Sequence, residues 1–352
     1  MAKVLMKGNE AVGKAAIEAG CKYFFGYPIT PQSEIPEYLS VELPKVGGVF
    51  VQAESEVAAI NMVYGAAGAG ARVLTSSSSP GISLKQEGIG YITNASLPAV
   101  IVSMMRGGPG LGTIQPGQAD YTMTVKGGGN GDYRNIVLAP ASVQEAVDMV
   151  MEAFDLADYY CMPVIVLADG LIGQMMEPVE FNYVCKRELP PKDWALRGKG
   201  DGEKHMVENL VIEASECEIW NNDHFKVYDV VEENEQDWEE LMMDDAEYAF
   251  VAYGTAARIT NTAIGILRKE GYKIGMIRPK TLWPFPTKAF EKLDGQVKKY
   301  LDVEMSKGQM IEDLAYACND KNKIEFYGRT GGIVPTVEEI ADFARKVMGG
   351  DK

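Results

Sequence analysis

Four short segments hold side chains able to bind or transform a small acidic molecule. In Tyr27-Pro28-Ile29-Thr30-Pro31-Gln32-Ser33-Glu34, Thr30 precedes a proline, the residue favoured at the first helical position, which makes Thr30 a natural helix N-cap. A helix N-terminus also attracts carboxylates and phosphates, so capping and ligand binding can coexist there. In Gln52-Ala53-Glu54-Ser55-Glu56, two carboxylates fall at a helix start, where the macrodipole favours them. They are either solvated end-of-helix charges or, because residues 57–71 carry no charge and read as a buried helix, acids at the mouth of a buried element suited to proton chemistry.

Arg106 follows Met104-Met105 at the end of an apolar strand and opens the loop Gly107-Gly108-Pro109-Gly110-Leu111-Gly112. A guanidinium suits a carboxylate in bidentate fashion, and glycines allow close backbone approach; the alternative is a surface arginine beside a flexible loop. The run Thr75-Ser76-Ser77-Ser78-Ser79-Pro80-Gly81 offers hydroxyls but no partnered base, and reads as an ordinary loop. Neither glycine cluster is a nucleotide motif. Gly108-Pro109-Gly110 lacks the third glycine of a dinucleotide fingerprint, and Gly127-Gly128-Gly129-Asn130-Gly131-Asp132 lacks the Lys-Ser/Thr of a P-loop.

These segments need a scaffold that brings loops together at one sheet edge. Short apolar runs at Tyr23–Gly26, Val49–Gln52, Arg72–Thr75, Ala99–Met104, Ile136–Leu138 and Pro163–Ala168 alternate with helical patterns at Ala11–Ala19, Pro31–Leu39, Glu56–Ala67 and Val143–Ala157. That alternation is the signature of a mainly parallel sheet with helices on both faces, whose ligands bind at the carboxyl ends of strands. Ser142 is placed to cap the helix that begins at Val143. The pattern lapses between about Phe181 and Glu247, where both histidines and three of the four tryptophans fall; this reads as an irregular excursion with a helix at Glu232–Met242. A second βα set follows, with strands at Ala249–Tyr253, Lys273–Ile277, Lys299–Val303 and Ile324–Tyr327, a helix at Ala256–Glu270, and a last helix, Thr336–Met348, opened by a capping box.

Composition narrows the chemistry. The 352 residues carry 34 Lys+Arg against 50 Asp+Glu, a net charge of −16, the wrong sign for a nucleic-acid partner. Cys21, Cys161, Cys185, Cys217 and Cys318 are scattered without a CxxC pair, so neither a disulfide framework nor an iron–sulfur motif is expected on this chain. His205 and His224 show no metal-ligand spacing, and with no signal segment and no long apolar run the expectation is a cytoplasmic protein with no membrane partner.

Taken together and in order, Gly26-Tyr27-Pro28-Ile29-Thr30-Pro31, Gln52-Ala53-Glu54-Ser55-Glu56, Gly65-Ala66-Ala67-Gly68-Ala69-Gly70, Thr75–Gly81 and Arg106-Gly107-Gly108-Pro109 resemble the alpha-type subunit of the 2-oxoacid:ferredoxin oxidoreductases. Tyr253-Gly254-Thr255-Ala256 and Arg278-Pro279-Lys280-Thr281-Leu282-Trp283-Pro284-Phe285-Pro286 extend the resemblance. It is closest to the 2-oxoisovalerate (3-methyl-2-oxobutanoate) branch, with the 2-oxoglutarate branch next. The resemblance implies an α/β thiamine-diphosphate pyrimidine-binding domain at 1–190, an irregular linker at 191–246 and a transketolase C-terminal-like α/β domain at 247–352.

The resemblance further implies oxidative decarboxylation of a 2-oxoacid to an acyl-CoA and CO2, with ferredoxin reduction. Glu56 would meet the aminopyrimidine of thiamine diphosphate as catalytic and cofactor-binding residue, and Thr30 and Arg106 would bind the substrate carboxylate. Gly200-Asp201-Gly202 with Asn221-Asn222 looks like a diphosphate and magnesium signature but is too closely spaced and lacks the leading strand, so it reads as a decoy. The family places magnesium and the diphosphate site on a beta subunit and iron–sulfur clusters on other subunits, gamma and delta-type chains completing the complex; coenzyme A is the cosubstrate. Ferredoxins are themselves acidic, so docking is expected on a partner. A non-catalytic scaffold subunit, or a transketolase-like or acetolactate-type enzyme without ferredoxin, are the competing readings.

Overall fold

The computed structural model describes residues 3–198, 202, 204–293 and 295–349. Strand β1 (Val4–Lys7) is followed by α1 (Gly8–Glu18), β2 (Tyr23–Gly26), α2 (Glu34–Glu42), β3 (Val49–Gln52), α3 (Glu56–Gly68), β4 (Val73–Ser77), α4 (Ser79–Asn94), β5 (Ala99–Met105), α5 (Tyr121–Val125), β6 (Ile136–Leu138), α6 (Val143–Tyr160), β7 (Pro163–Asp169), α7 (Gly170–Gln174) and β8 (Met176–Val179). Then come α8 (Ala214–Asn234), β9 (Trp238–Leu241), β10 (Tyr248–Val251), α9 (Gly254–Lys269), β11 (Ile274–Pro279), β12 (Thr281–Trp283), α10 (Thr287–Leu293), β13 (Lys299–Glu304), α11 (Met310–Ala317), β14 (Ile324–Gly328) and α12 (Val337–Gly349).

A seven-stranded sheet runs β12-β6-β7-β5-β4-β2-β3 and a five-stranded sheet runs β14-β13-β10-β11-β9. Both are parallel except for one antiparallel edge each, β12 on β6 and β9 on β11. Every residue of β4, β5 and β7 is buried, as strands covered by helices on both faces must be. Along α6 the 3- and 4-residue apolar spacing packs inward, and Ser142 Oγ accepts from Glu145 N as the expected cap. The capping box of α12 also forms, with Thr336 Oγ1 and Glu339 exchanging backbone contacts.

Side chains join the two sheets. Gln118 bonds Met305 N through Oε1 and Tyr253 O through Nε2, both at 2.9 Å. Asp169 accepts from Thr255 Oγ1 at 2.7 Å while capping α7, and Arg278 forks onto Glu145 and reaches Glu239.

Four expectations are corrected. The helix expected at Pro31–Leu39 begins three residues later, at Glu34, so Thr30 is not its cap; Ser33 occupies that position. The serine run is not a loop: it completes β4 and opens the 16-residue α4. The helix expected at Glu232–Met242 is the tail of α8 followed by strand β9, and β9 belongs to the second sheet. The uncharged helix α3 is only half buried, with Val57, Asn61, Met62 and Gly65 exposed. Of the decoy signature, Gly200 and Asp201 lie outside the described residues, and Asn221 and Asn222 are exposed on α8. All five cysteines are free, and among the described residues no helix is long and apolar enough to cross a membrane.

Candidate active site

The carboxyl ends of β2, β4 and β5 lie side by side in the sheet, and the three expected residues gather beside them. Glu56 opens α3, directly after the N-cap Ser55, whose Oγ accepts from Ala58 N at 3.1 Å. It is 6% exposed, yet no donor among the described residues bonds its carboxylate. What lies against it is the first turn of α4: a Cβ added to Gly81 would stand 2.8 Å from Glu56 Oε1 and 2.1 Å from Ser77 Oγ. Only glycine lets α4 start this close to the carboxylate.

Arg106 directly follows β5 and is 8% exposed. Its Nη1 donates to Thr30 O at 2.9 Å and its Nη2 to Leu111 O at 2.8 Å, while the buried Nε has no partner. The guanidinium therefore ties together the loop after β2 and the glycine loop after β5, and its buried Nε–H is left without a protein acceptor. Thr30 itself is exposed and lines a cleft of about 420 Å³ with Ile114, Glu34, Leu171 and Gln174 among its walls. The structure thus brings Thr30 and Arg106 into contact. Glu56 stands apart from that contact, linked to it through the start of α4, where Ser79 Oγ accepts from Arg106 N at 3.0 Å.

Two groups have no signal in the sequence. Asp120 accepts from Ser79 Oγ at 2.5 Å; burial pushes its carboxyl up to about 6, against the opposing effects of that hydrogen bond and of Arg106. Lys85, on α4, is fully buried. Taking the serine run for a loop hides α4, the helix that carries Lys85.

Ser77, Ser78 and Ser103 add buried hydroxyls without partners at the ends of β4 and β5. A buried carboxylate without a donor, beside unpaired hydroxyls, fits a heterocycle that offers N–H groups. The donor set present suits the pyrimidine end of a thiamine cofactor; among the described residues no cluster of three His, Cys, Asp or Glu could hold a metal ion.

The fold is that of a thiamine-dependent oxidoreductase domain: residues 14–239 match the family described as pyruvate flavodoxin/ferredoxin oxidoreductase, thiamine diphosphate-binding. Residues 246–340 match core domain II of pyruvate:ferredoxin oxidoreductase. The chain belongs to this family: it is a subunit of a thiamine diphosphate-dependent 2-oxoacid:ferredoxin oxidoreductase.

Among its relatives, the ketoisovalerate oxidoreductase subunit VorB of Methanothermobacter thermautotrophicus is 49% identical over 351 residues, covering 99% of both chains. The 2-oxoglutarate synthase subunit KorA of Methanothermobacter marburgensis is 35% identical, covering 98% of both. A solved 2-oxoglutarate:ferredoxin oxidoreductase from Magnetococcus marinus, with 2-oxoglutarate, coenzyme A and succinyl-CoA bound, superposes with a TM-score of 0.89 at 28% identity. That alignment covers 98% of this chain but 65% of the solved one, so this chain spans about two thirds of its length.

Proposed function

We propose that this chain is the pyrimidine-binding alpha subunit of an oxidoreductase for branched-chain 2-oxoacids, 2-oxoisovalerate foremost, producing an acyl-CoA and CO2 while reducing ferredoxin. The observation that carries the substrate is the 49% identity to a ketoisovalerate oxidoreductase subunit along the full length of both chains, against 35% for a 2-oxoglutarate synthase subunit. The cleft beside Thr30 supports it. Ile114, Leu171 and Pro116 give it apolar lining alongside polar residues such as Gln115 and Gln174, and its one charged lining residue is Glu34. Burial pushes the Glu34 carboxyl up, but hydrogen bonds from Lys7, Asn9 and Gln174 outweigh that and hold it below the usual range. Glu34 is ion-paired with Lys7, so the cleft offers no free cation to the second carboxylate of a dicarboxylic 2-oxoacid, whereas an isopropyl group needs none.

In this reading the ionised Glu56 accepts a hydrogen bond from the aminopyrimidine ring and shares that proton with it, Arg106 uses its free Nε–H and its charge on the substrate carboxylate, and Thr30 orients the same group. Bound thiamine diphosphate supplies the electron sink for decarboxylation. A beta subunit contributes the diphosphate and magnesium site and covers the uncharged, exposed face of α3 beside Glu56; gamma and iron–sulfur subunits carry electrons to ferredoxin. A panel of 2-oxoacids offered to the assembled complex tests the substrate. Turnover of 2-oxoisovalerate at least tenfold more efficient than of 2-oxoglutarate is expected, and the reverse order refutes the assignment.

A further inference from the structure

Lys85 is the most anomalous residue of the site region. It is fully buried, and its Nζ donates only to neutral acceptors, Thr75 Oγ1 at 2.6 Å and Ser76 O at 3.1 Å. Thr75 Oγ1 in turn donates to Phe25 O at 2.6 Å. Burying an amine among neutral groups is costly, and a methionine would fill the same space without that cost, so packing does not account for a lysine here.

The face of α4 that carries Lys85 is fixed by its neighbours on the same face. Gly81, one turn before it, rests against Glu56 Oε1 and Cγ, and Gly88, one turn after it, rests against the Ile60 side chain. Glu56 and Ile60 are successive turns of α3. Lys85 thus sits between those two contacts, on the side of α4 turned toward the first turns of α3. Burial pushes its ammonium down to about 7, and Glu56 is the one charge among the described residues that acts in the other direction. From β4 and β2 it meets only the Thr75 hydroxyl, the Ser76 carbonyl and, through Thr75, the Phe25 carbonyl.

We infer that Lys85 is a positioning residue for Glu56: a buried counter-charge, fixed by α4 and β4, that holds in place the carboxylate that receives the cofactor. Lys85 touches neither substrate nor cofactor; it acts through Glu56, and the inference rests on the cofactor-binding role proposed for Glu56.

Lys85 changes charge at about pH 7, so its effect on the carboxylate has a pH signature of its own. In the assembled complex, the affinity for thiamine diphosphate is measured at pH 6 and pH 8 for the wild type, Lys85→Met and Lys85→Gln. The wild type is expected to gain affinity at pH 6 relative to both variants, and this difference to be lost at pH 8. A wild-type-to-variant ratio that is the same at both pH values, with only thermal stability changed, assigns Lys85 a structural role and overturns the inference.

Linkage makes the coupling reciprocal, so a second measurement stands if both variants fail to assemble. The Lys85 side chain is titrated by carbon NMR in cofactor-free complex labelled with 13C-lysine, comparing wild type with Glu56→Gln. Its midpoint is expected to fall by about one unit in the variant, and an unchanged midpoint overturns the inference. If Glu56→Gln keeps full turnover, it is the role of Glu56 that fails, an outcome separate from either titration result.

Discussion

Replacing Gly81 with alanine tests whether the close approach of α4 to Glu56 matters to the chemistry. Glycine inside a helix is worth about 1 kcal/mol less than alanine, so propensity alone favours the substitution. Against it, the new methyl group would stand 2.1 Å from Ser77 Oγ and 2.8 Å from Glu56 Oε1. The glutamate oxygen ends a flexible side chain and can swing away. Ser77 Oγ is held close to the backbone of a fully buried strand, so the helix start must shift or the serine must leave its rotamer. Overpacking of this kind costs typically 1–3 kcal/mol, which exceeds the propensity gain and leaves a net loss of about 1 kcal/mol.

The larger effect falls on activity, because a displacement of about 1 Å at a positioned group costs on the order of 100-fold in rate. Thermal unfolding of the complex and 2-oxoacid-dependent ferredoxin reduction measure the two effects. Gly265→Ala on α9, where a Cβ meets nothing within 4 Å, is the control and is expected to gain up to about 1 kcal/mol with turnover unchanged. A Gly81→Ala complex that is as stable and as active as Gly265→Ala would refute the packing argument.

Glu56→Gln is expected to leave assembly intact and to lower turnover by at least 100-fold; steady-state kinetics and size-exclusion chromatography of the complex check both. Arg106→Ala removes a charged donor worth about 1.5–3 kcal/mol, so KM for the 2-oxoacid should rise roughly 10- to 100-fold, and an unchanged KM excludes Arg106 from the substrate site. Asp120 predicts a pH dependence of stability. Its folded carboxyl titrates at about 6 against an ordinary 3.8, so between those values the folded chain binds the proton and the unfolded chain does not, and stability falls as pH rises through that window. Asp120→Asn should remove this loss, making the variant relatively more stable at pH 7.5 than at pH 4.5 in denaturant titrations. Ile114→Arg should improve 2-oxoglutarate against 2-oxoisovalerate, read as the ratio of kcat/KM, by offering a cation beside Glu34.

The parallel sheet is legible in the sequence because β5 and β7 are apolar at nearly every position and α6 keeps helical spacing from a serine cap. Glu56 is legible for a related reason: it is the charge that opens a 15-residue stretch with no other, and so stands out against it. Thr30 points to a cap it does not make, because Thr-Pro is a local signal and the chain runs on for three more residues before α2 begins. The serine run misleads through propensity, since serines favour turns until tertiary burial overrides them. Within β4 all five residues are buried, and only the neighbouring strands make that so. Lys85 and Asp120 cannot be found from spacing alone, because what distinguishes them is burial against residues far away in sequence.

Strand β12 carries a consequence for how the chain is made. It closes the edge of the first sheet by pairing with β6, yet it is synthesised roughly 140 residues later. At about 5–20 residues per second, a growing chain holds that edge open for roughly seven to thirty seconds after β6 has emerged. An open edge is a template for pairing with other chains. Nascent chains of this protein, and fragments ending near residue 246, should therefore depend on chaperone protection that the finished subunit no longer needs.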